Sequence, residues 1–185
     1  KRKVVLYIME RRNAWLSYNE ADEKALEKLA KDYRTFLDNG KTERECVSEL
    51  SREAEAAGYV SLDKKLASGE KIQTGDKIYA VGMKKIMALF HIGEDPMEKG
   101  MNILGAHIDS PRLDVKQNPL YEDTDLAYLD THYYGGVKKY HWVALPLAIH
   151  GVIVKKDGTV VNVTVGEAED DPVVYITDLL IHLAG

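Results

Sequence analysis

An apolar run, Ile103-Leu104-Gly105-Ala106, leads directly into His107-Ile108-Asp109 and is stopped by Ser110-Pro111 before Arg112-Leu113-Asp114. A strand ending in this way places polar groups at its C-terminal edge, where open α/β sheets bind ligands. If the strand continues through Asp109, its alternation puts His107 and Asp109 on one side. A neutral imidazole is the commonest protein metal ligand, and a neighbouring carboxylate can fix its tautomer and raise its basicity. The pair is therefore chemically suited to a metal site. The same pattern also describes a hydrogen-bonded strand-end pair or a surface histidine, and spacing alone does not choose between these, nor between one metal and two.

The other candidate side chains read more plainly. His91 and His150 lie in apolar, strand-like runs and are expected to be satisfied sheet residues. His132 and His141 bracket a tyrosine-rich segment and are expected to be exposed. The single cysteine, Cys46, has no partner in the chain for a disulfide or a metal pair and reads as a small, partly buried side chain. Asn162-Val163-Thr164 matches a glycosylation sequon by pattern only.

The elements that must position these groups begin with helices. Ser17-Tyr18-Asn19-Glu20 reads as a capping box, after which Ala25, Leu26, Leu29, Ala30, Tyr33, Phe36 and Leu37 recur at helical spacing until Asn39-Gly40. Thr42 with Glu45 repeats the box, and Val47, Leu50, Ala54 and Ala57 carry a second helix to Gly58. Both stripes are expected to be core. From residue 77 the period changes: 77–81 and 86–92 are β-prone runs around Gly82, and 102–106 is a third. The stretch Gln117-Asn118-Pro119 with Glu122-Asp123-Thr124-Asp125 is polar and turn-rich, which makes it the expected boundary between two units, 1–116 and 117–185. Beyond it, 143–154 and 159–165 flank the hairpin signal Asp157-Gly158, and 176–183 reads as a closing helix.

Composition bounds the function classes. The 185 residues, 45% hydrophobic and 30% charged with mean hydropathy −0.32, describe a globular chain of one or two domains. Thirty acidic against 25 basic side chains leave a net charge of −5, so neither nucleic acid nor an anionic membrane is an expected partner. Lys1-Arg2-Lys3 and the six apolar residues that follow imitate a signal peptide but fall short of the usual h-region of roughly 7–15 residues. No run of about 18 apolar residues occurs. The chain starts without Met and stops after an apolar run, from which both ends are expected to be cut.

Gly105-Ala106-His107-Ile108-Asp109-Ser110-Pro111-Arg112-Leu113-Asp114 resembles the first active-site motif of the aspartyl aminopeptidase family, a group of dinuclear zinc exopeptidases. The likeness extends upstream through 33–45 and downstream through Tyr134-Gly135-Gly136, Trp142 and 145–154, covering the chain from about Trp15 to Leu183. After Gly136 the chain departs from the family's third glycine and Trp-Phe-Asp-Arg, reading Val137-Lys138-Lys139-Tyr140-His141-Trp142.

What the resemblance implies is specific. The fold would be α/β, a zinc-exopeptidase-like mixed sheet flanked by helices over residues 1–116, followed from residue 117 by the start of a β-rich dimerisation domain. His107 would ligate one of two zinc ions, for which cobalt could substitute, and Asp109 would be the catalytic-site carboxylate that positions it. His182, in Leu180-Ile181-His182-Leu183, would reach the active site of a neighbouring subunit. The reaction would be removal of the N-terminal residue of a peptide, with a preference for Asp or Glu, by a cytoplasmic homo-oligomer built from dimers, typically a dodecamer. Two metals about 3.5–4 Å apart would share a carboxylate and a water, with a Glu as general base. The family's bridging Asp, Glu-Glu pair and remaining ligands are expected beyond residue 185, so this segment alone is expected to be inactive. The rival readings are a noncatalytic assembly module and a mononuclear metal hydrolase.

Overall fold

A computed structural model describes residues 11–179 and 182; the signal-like segment 1–9 lies outside the described residues. The chain divides into two compact units, Lys1–Asn39 and Gly40–Gly185.

The described part of the first unit is a 3-10 turn, Ala14–Ser17, and the helix α1, Glu20–Asn39. The cap of α1 differs from the expected one. Asn19 Oδ1 accepts from the backbone N–H groups of Ala21 and Asp22 at 2.8 and 3.2 Å, and the Asn19 N–H donates back to Asp22 Oδ2 at 3.0 Å. Asn19 and Asp22 thus form the reciprocal box expected of Ser17 and Glu20. Ser17 is unavailable because its hydroxyl donates to the Ala14 carbonyl within the preceding turn. The apolar stripe of α1 is also not core: the helix buries no residue, and Leu29 and Tyr33 are 66% and 59% exposed.

In the second unit α2, Glu43–Ala56, has the capping box that Thr42 and Glu45 announce: Thr42 Oγ1 accepts from the Glu45 N–H, and the Thr42 N–H donates to Glu45 Oε2 at 2.8 Å. Gly58, at φ +86°, ends it in the left-handed region. Its buried side, Cys46, Val47 and Ala54, forms the core with Ile78 and Tyr79 of a small sheet. That sheet joins β1, Val60–Ser61, in parallel to β2, Lys77–Gly82, and β2 in antiparallel register to β3, Ile86–His91. The short helix α3, Leu62–Ser68, follows β1. Since the Thr42 hydroxyl accepts from one of the orphan N–H groups at the start of α2, that of Glu45, Thr42→Ala is expected to cost about 1 kcal/mol. Hydrogen exchange across α2 would measure the loss, and unchanged protection would contradict the assignment.

Two further hairpins carry the rest of the unit. β4, Arg112–Asp123, pairs antiparallel with β5, Leu126–Tyr134, through a two-residue turn in which Thr124 and Asp125 both have positive φ, 53° and 63°. The expected turn at Gln117-Asn118-Pro119 is instead part of β4, where the register shifts between Val115 and Leu120. Pro119 has no N–H for the ladder, and the strand absorbs it as a bulge rather than a break. β6, Ile149–Val154, pairs with β7, Val160–Val165, around Asp157-Gly158, as its turn residues predict.

Two expected elements are absent among the described residues. The run 102–106 forms no regular structure and joins no ladder, and Ile103 and Leu104 are 80% and 99% exposed; a β-prone run without a neighbouring strand has no partner for its backbone groups. The expected closing helix is not formed over 176–179. Backbone bonds from Ala144 to Ile176 and between Leu147 and Val174 tie 174 and 176 into isolated β-bridges instead, and 177–179 form no regular structure. Leu180, Ile181 and Leu183 lie outside the described residues. Among the described residues no helix is long and apolar enough to cross a membrane.

Candidate functional site

Although 102–106 is not a strand, the backbone beyond it brings His107 and Asp109 together. His107 Nδ1 lies 3.2 Å from Asp109 Oδ1 and 2.9 Å from the Asp109 backbone oxygen. Both neighbours are acceptors, so Nδ1 is the nitrogen that carries the proton in the neutral ring, and Nε2 keeps its lone pair. The His107 side chain is 82% exposed.

Asp109 has a second partner that the sequence did not announce. Tyr134, the last residue of β5, donates its hydroxyl to Asp109 Oδ2 at 2.9 Å. This bond, together with a backbone N–H and the nearby His107, holds the Asp109 carboxyl below the ordinary carboxylate range, and the same contact pushes the Tyr134 phenol up. The β4–β5 register pairs Tyr134 with Arg112. The Arg112 guanidinium lies 4.1 Å above the tyrosine ring and is itself held by Glu43 Oε1 at 3.0 Å and Asp114 Oδ1 at 2.8 Å. At Gly135, φ is +73° and a Cβ would sit 3.5 Å from Pro111, so the chain turns away from the site where only glycine is unstrained. The α2 N-terminus reaches the same segment through Cys46, which is 5% exposed and whose Sγ lies 3.6 Å from the Ile108 carbonyl oxygen.

A second polar cluster lies on β6. His150 is a satisfied sheet histidine, as expected, but its partners are long-range: Nδ1 is 2.8 Å from Glu45 Oε1 in α2 and Nε2 is 2.9 Å from Glu167 Oε1. Burial opposes a charge on His150, and the two carboxylates outweigh it, raising its pKa above the usual histidine value. Asp171 fixes the Glu167 turn by accepting from the N–H groups of Gly166 and Ala168. His91, His132 and His141 are all exposed. His182 is exposed too, and among the described residues no hydrogen bond or ion pair joins it to His107 or Asp109.

Among the described residues no group of three or more His, Cys, Asp or Glu side chains is arranged to hold a metal ion. His107, oriented by Asp109, has the donor chemistry of one ligand in such a centre and not of the whole of it.

Residues 36–185 match the sequence model of the aminopeptidase I zinc metalloproteases, M18. The chain belongs to this family. Among its M18 relatives, a probable M18 family aminopeptidase 1 of Clostridium acetobutylicum is 58% identical over 177 residues, covering 96% of this chain and 38% of its own length. A protein of the same description from Thermotoga maritima is 43% identical over 175 residues, covering 95% and 37%. The crystal structure of aminopeptidase I from Borrelia burgdorferi B31 matches with a TM-score of 0.83 at 37% identity, over 92% of this chain and 41% of that one. The α/β architecture is thus shared with M18 aminopeptidases. The chain spans a little over a third of the length of the curated M18 relatives it matches.

Proposed function

We propose that this chain is the N-terminal portion of a zinc-dependent aminopeptidase that removes the N-terminal residue of peptides, with His107 as a zinc ligand and Asp109 as the carboxylate that positions it. The observation that carries the reading is the His107–Asp109 geometry: Nδ1 faces two oxygens of Asp109, which leaves Nε2 available to a metal. When bound, zinc supplies Lewis acidity and lowers the pKa of its water. Asp109 holds the imidazole in the tautomer that can coordinate, and Tyr134 and Arg112 hold Asp109. Family membership supports the zinc and peptidase parts of the proposal.

The finer parts rest on the resemblance of 105–114 and its flanks. They are two zinc ions, with cobalt as a substitute, a preference for N-terminal Asp or Glu, a cytoplasmic homo-oligomer, and His182 acting at a neighbouring subunit's site. In this reading 1–116 belongs to the catalytic domain and 117–185 to a dimerisation domain, the division falling at the β4 register shift. Since one recognised ligand cannot complete a catalytic zinc, the 185-residue segment alone is inactive.

Hydrolysis of aspartyl-, glutamyl- and leucyl-p-nitroanilide by the whole protein, with added zinc or cobalt and with a chelator, tests the proposal. Metal-dependent release from the acidic substrates is expected. Metal-independent hydrolysis would overturn the zinc reading, a leucyl preference the acidic one, and turnover by the segment alone its inactivity. A noncatalytic assembly module would hydrolyse none of them.

A further inference from the structure

We propose that Tyr134 is a positioning residue for His107, acting through Asp109; the inference rests on the assignment of His107 as a zinc ligand. A carboxylate rotates about a broad torsion, so one partner does not fix its plane. Asp109 has a partner on each oxygen: His107 Nδ1 on Oδ1 at 3.2 Å and the Tyr134 hydroxyl on Oδ2 at 2.9 Å. Because His107 is 82% exposed, packing does little to hold its ring. The chain Tyr134 to Asp109 to His107 therefore does what burial does elsewhere.

The tyrosine is suited to the role because it is itself held. Its ring lies under the Arg112 guanidinium at 4.1 Å, opposite Arg112 in the β4–β5 ladder, and Arg112 is clamped between Glu43 and Asp114. The sequence separation of 25 residues between Asp109 and Tyr134 makes the contact a product of the hairpin rather than of the local motif. Support one step removed from a ligand, as Asp109 is, typically changes metal affinity about 10–100-fold when removed, and Tyr134 stands one step further out.

Tyr134→Phe keeps the ring and its stacking on Arg112 and deletes one hydroxyl. In the whole protein, zinc affinity measured by competition with a chromophoric chelator is expected to fall about 10-fold, the low end of the range for a ligand's own partner. In the metal-free protein, 15N chemical shifts of His107 are expected to keep the Nδ1-protonated tautomer, since the Asp109 backbone oxygen at 2.9 Å still accepts from it, while 15N relaxation shows the ring more mobile and near-ultraviolet circular dichroism stays native. In an Asp109→Asn background the same substitution is expected to have little further effect, since its route to His107 is already broken. Unchanged affinity and ring mobility would overturn the proposal even if Tyr134→Phe lowered the melting temperature, because a merely structural hydroxyl would do only that. A full additional loss in the Asp109→Asn background would overturn the route through Asp109. His107→Ala separates the two levels: if it leaves zinc binding intact, the ligand assignment fails and this inference with it. If it abolishes binding while Tyr134→Phe has no effect, only this inference fails.

Discussion

His107→Ala in the whole protein is expected to reduce bound zinc and to lower aminopeptidase activity by more than about 100-fold, beyond the roughly 10–100-fold typical of groups one step removed from the metal. Folding should be nearly unaffected. The His107 side chain is 82% exposed, and among the described residues its polar contacts are with Asp109, at 2.9 and 3.2 Å. Substitutions at exposed positions outside packed or capped features usually stay within about 0.5 kcal/mol. Large loss of function with little loss of stability is the signature of a ligand. Elemental analysis of the purified variant, initial rates on an aspartyl substrate and a thermal melt would decide it together. Unchanged zinc content would favour the assembly module, and a collapse of the melt would mean that the segment around 107 is structural.

The second large effect is expected at His150, and it depends on pH. Its two ring nitrogens face carboxylate oxygens of Glu45 and Glu167 at 2.8 and 2.9 Å. Ionised carboxylates only accept, so both contacts are hydrogen bonds when the imidazole is protonated, and one is lost when it is neutral. Burial works against the charge, but the hydrogen bonds and charges of the two glutamates raise the folded-state pKa above the unfolded value near 6.5. A raised pKa means that the folded state holds the proton more tightly. The stabilisation is therefore complete below about pH 6.5 and disappears as pH rises through the folded value. Glu45 also closes the α2 capping box through its other oxygen, so the imidazolium links the start of α2 to the β6–β7 hairpin.

His150→Ala is expected to cost about 2 kcal/mol at pH 6, within the range for hydrogen bonds to charged groups and tempered by the half-exposed Glu167. The cost should shrink on the alkaline side. Local opening free energies of the β6 and β7 amides, obtained by hydrogen exchange and corrected for intrinsic rates at pH 6 and pH 9, measure the difference. A cost that grew with pH would have the wrong sign for this arrangement.

Much of the local structure was legible because short-range rules decide it. Thr42 and Glu45 cap α2 because a hydroxyl and a carboxylate at that spacing meet two backbone donors. Asp157-Gly158 turns the β6–β7 hairpin because both residues tolerate the backbone a tight turn needs. Where short-range rules compete, they do not decide the structure. Ser17 and Asn19 both offer a cap, and Asn19 takes it because the preceding turn consumes the Ser17 hydroxyl. Gln117-Asn118-Pro119 has turn composition, yet β4 runs through it as a bulge because β5 pairs on both sides of it, at Val115 and Leu120. The run 102–106 has strand composition, yet no neighbour pairs with it among the described residues.

The sequence by itself determined which atoms are available for chemistry: an imidazole and a carboxylate two residues apart, in a motif whose family likeness the M18 match bears out. Tertiary structure alone decided what stands behind them. Tyr134 meets Asp109 across 25 residues, Glu43 meets Arg112 across 69, and Glu45 meets His150 across 105. A two-residue spacing is governed by the backbone's own geometry, whereas these contacts exist only once the β4–β5 and β6–β7 registers are set and α2 is packed on its sheet. Register and packing are sums over many weak, distant interactions, and no local pattern of residues encodes such a sum.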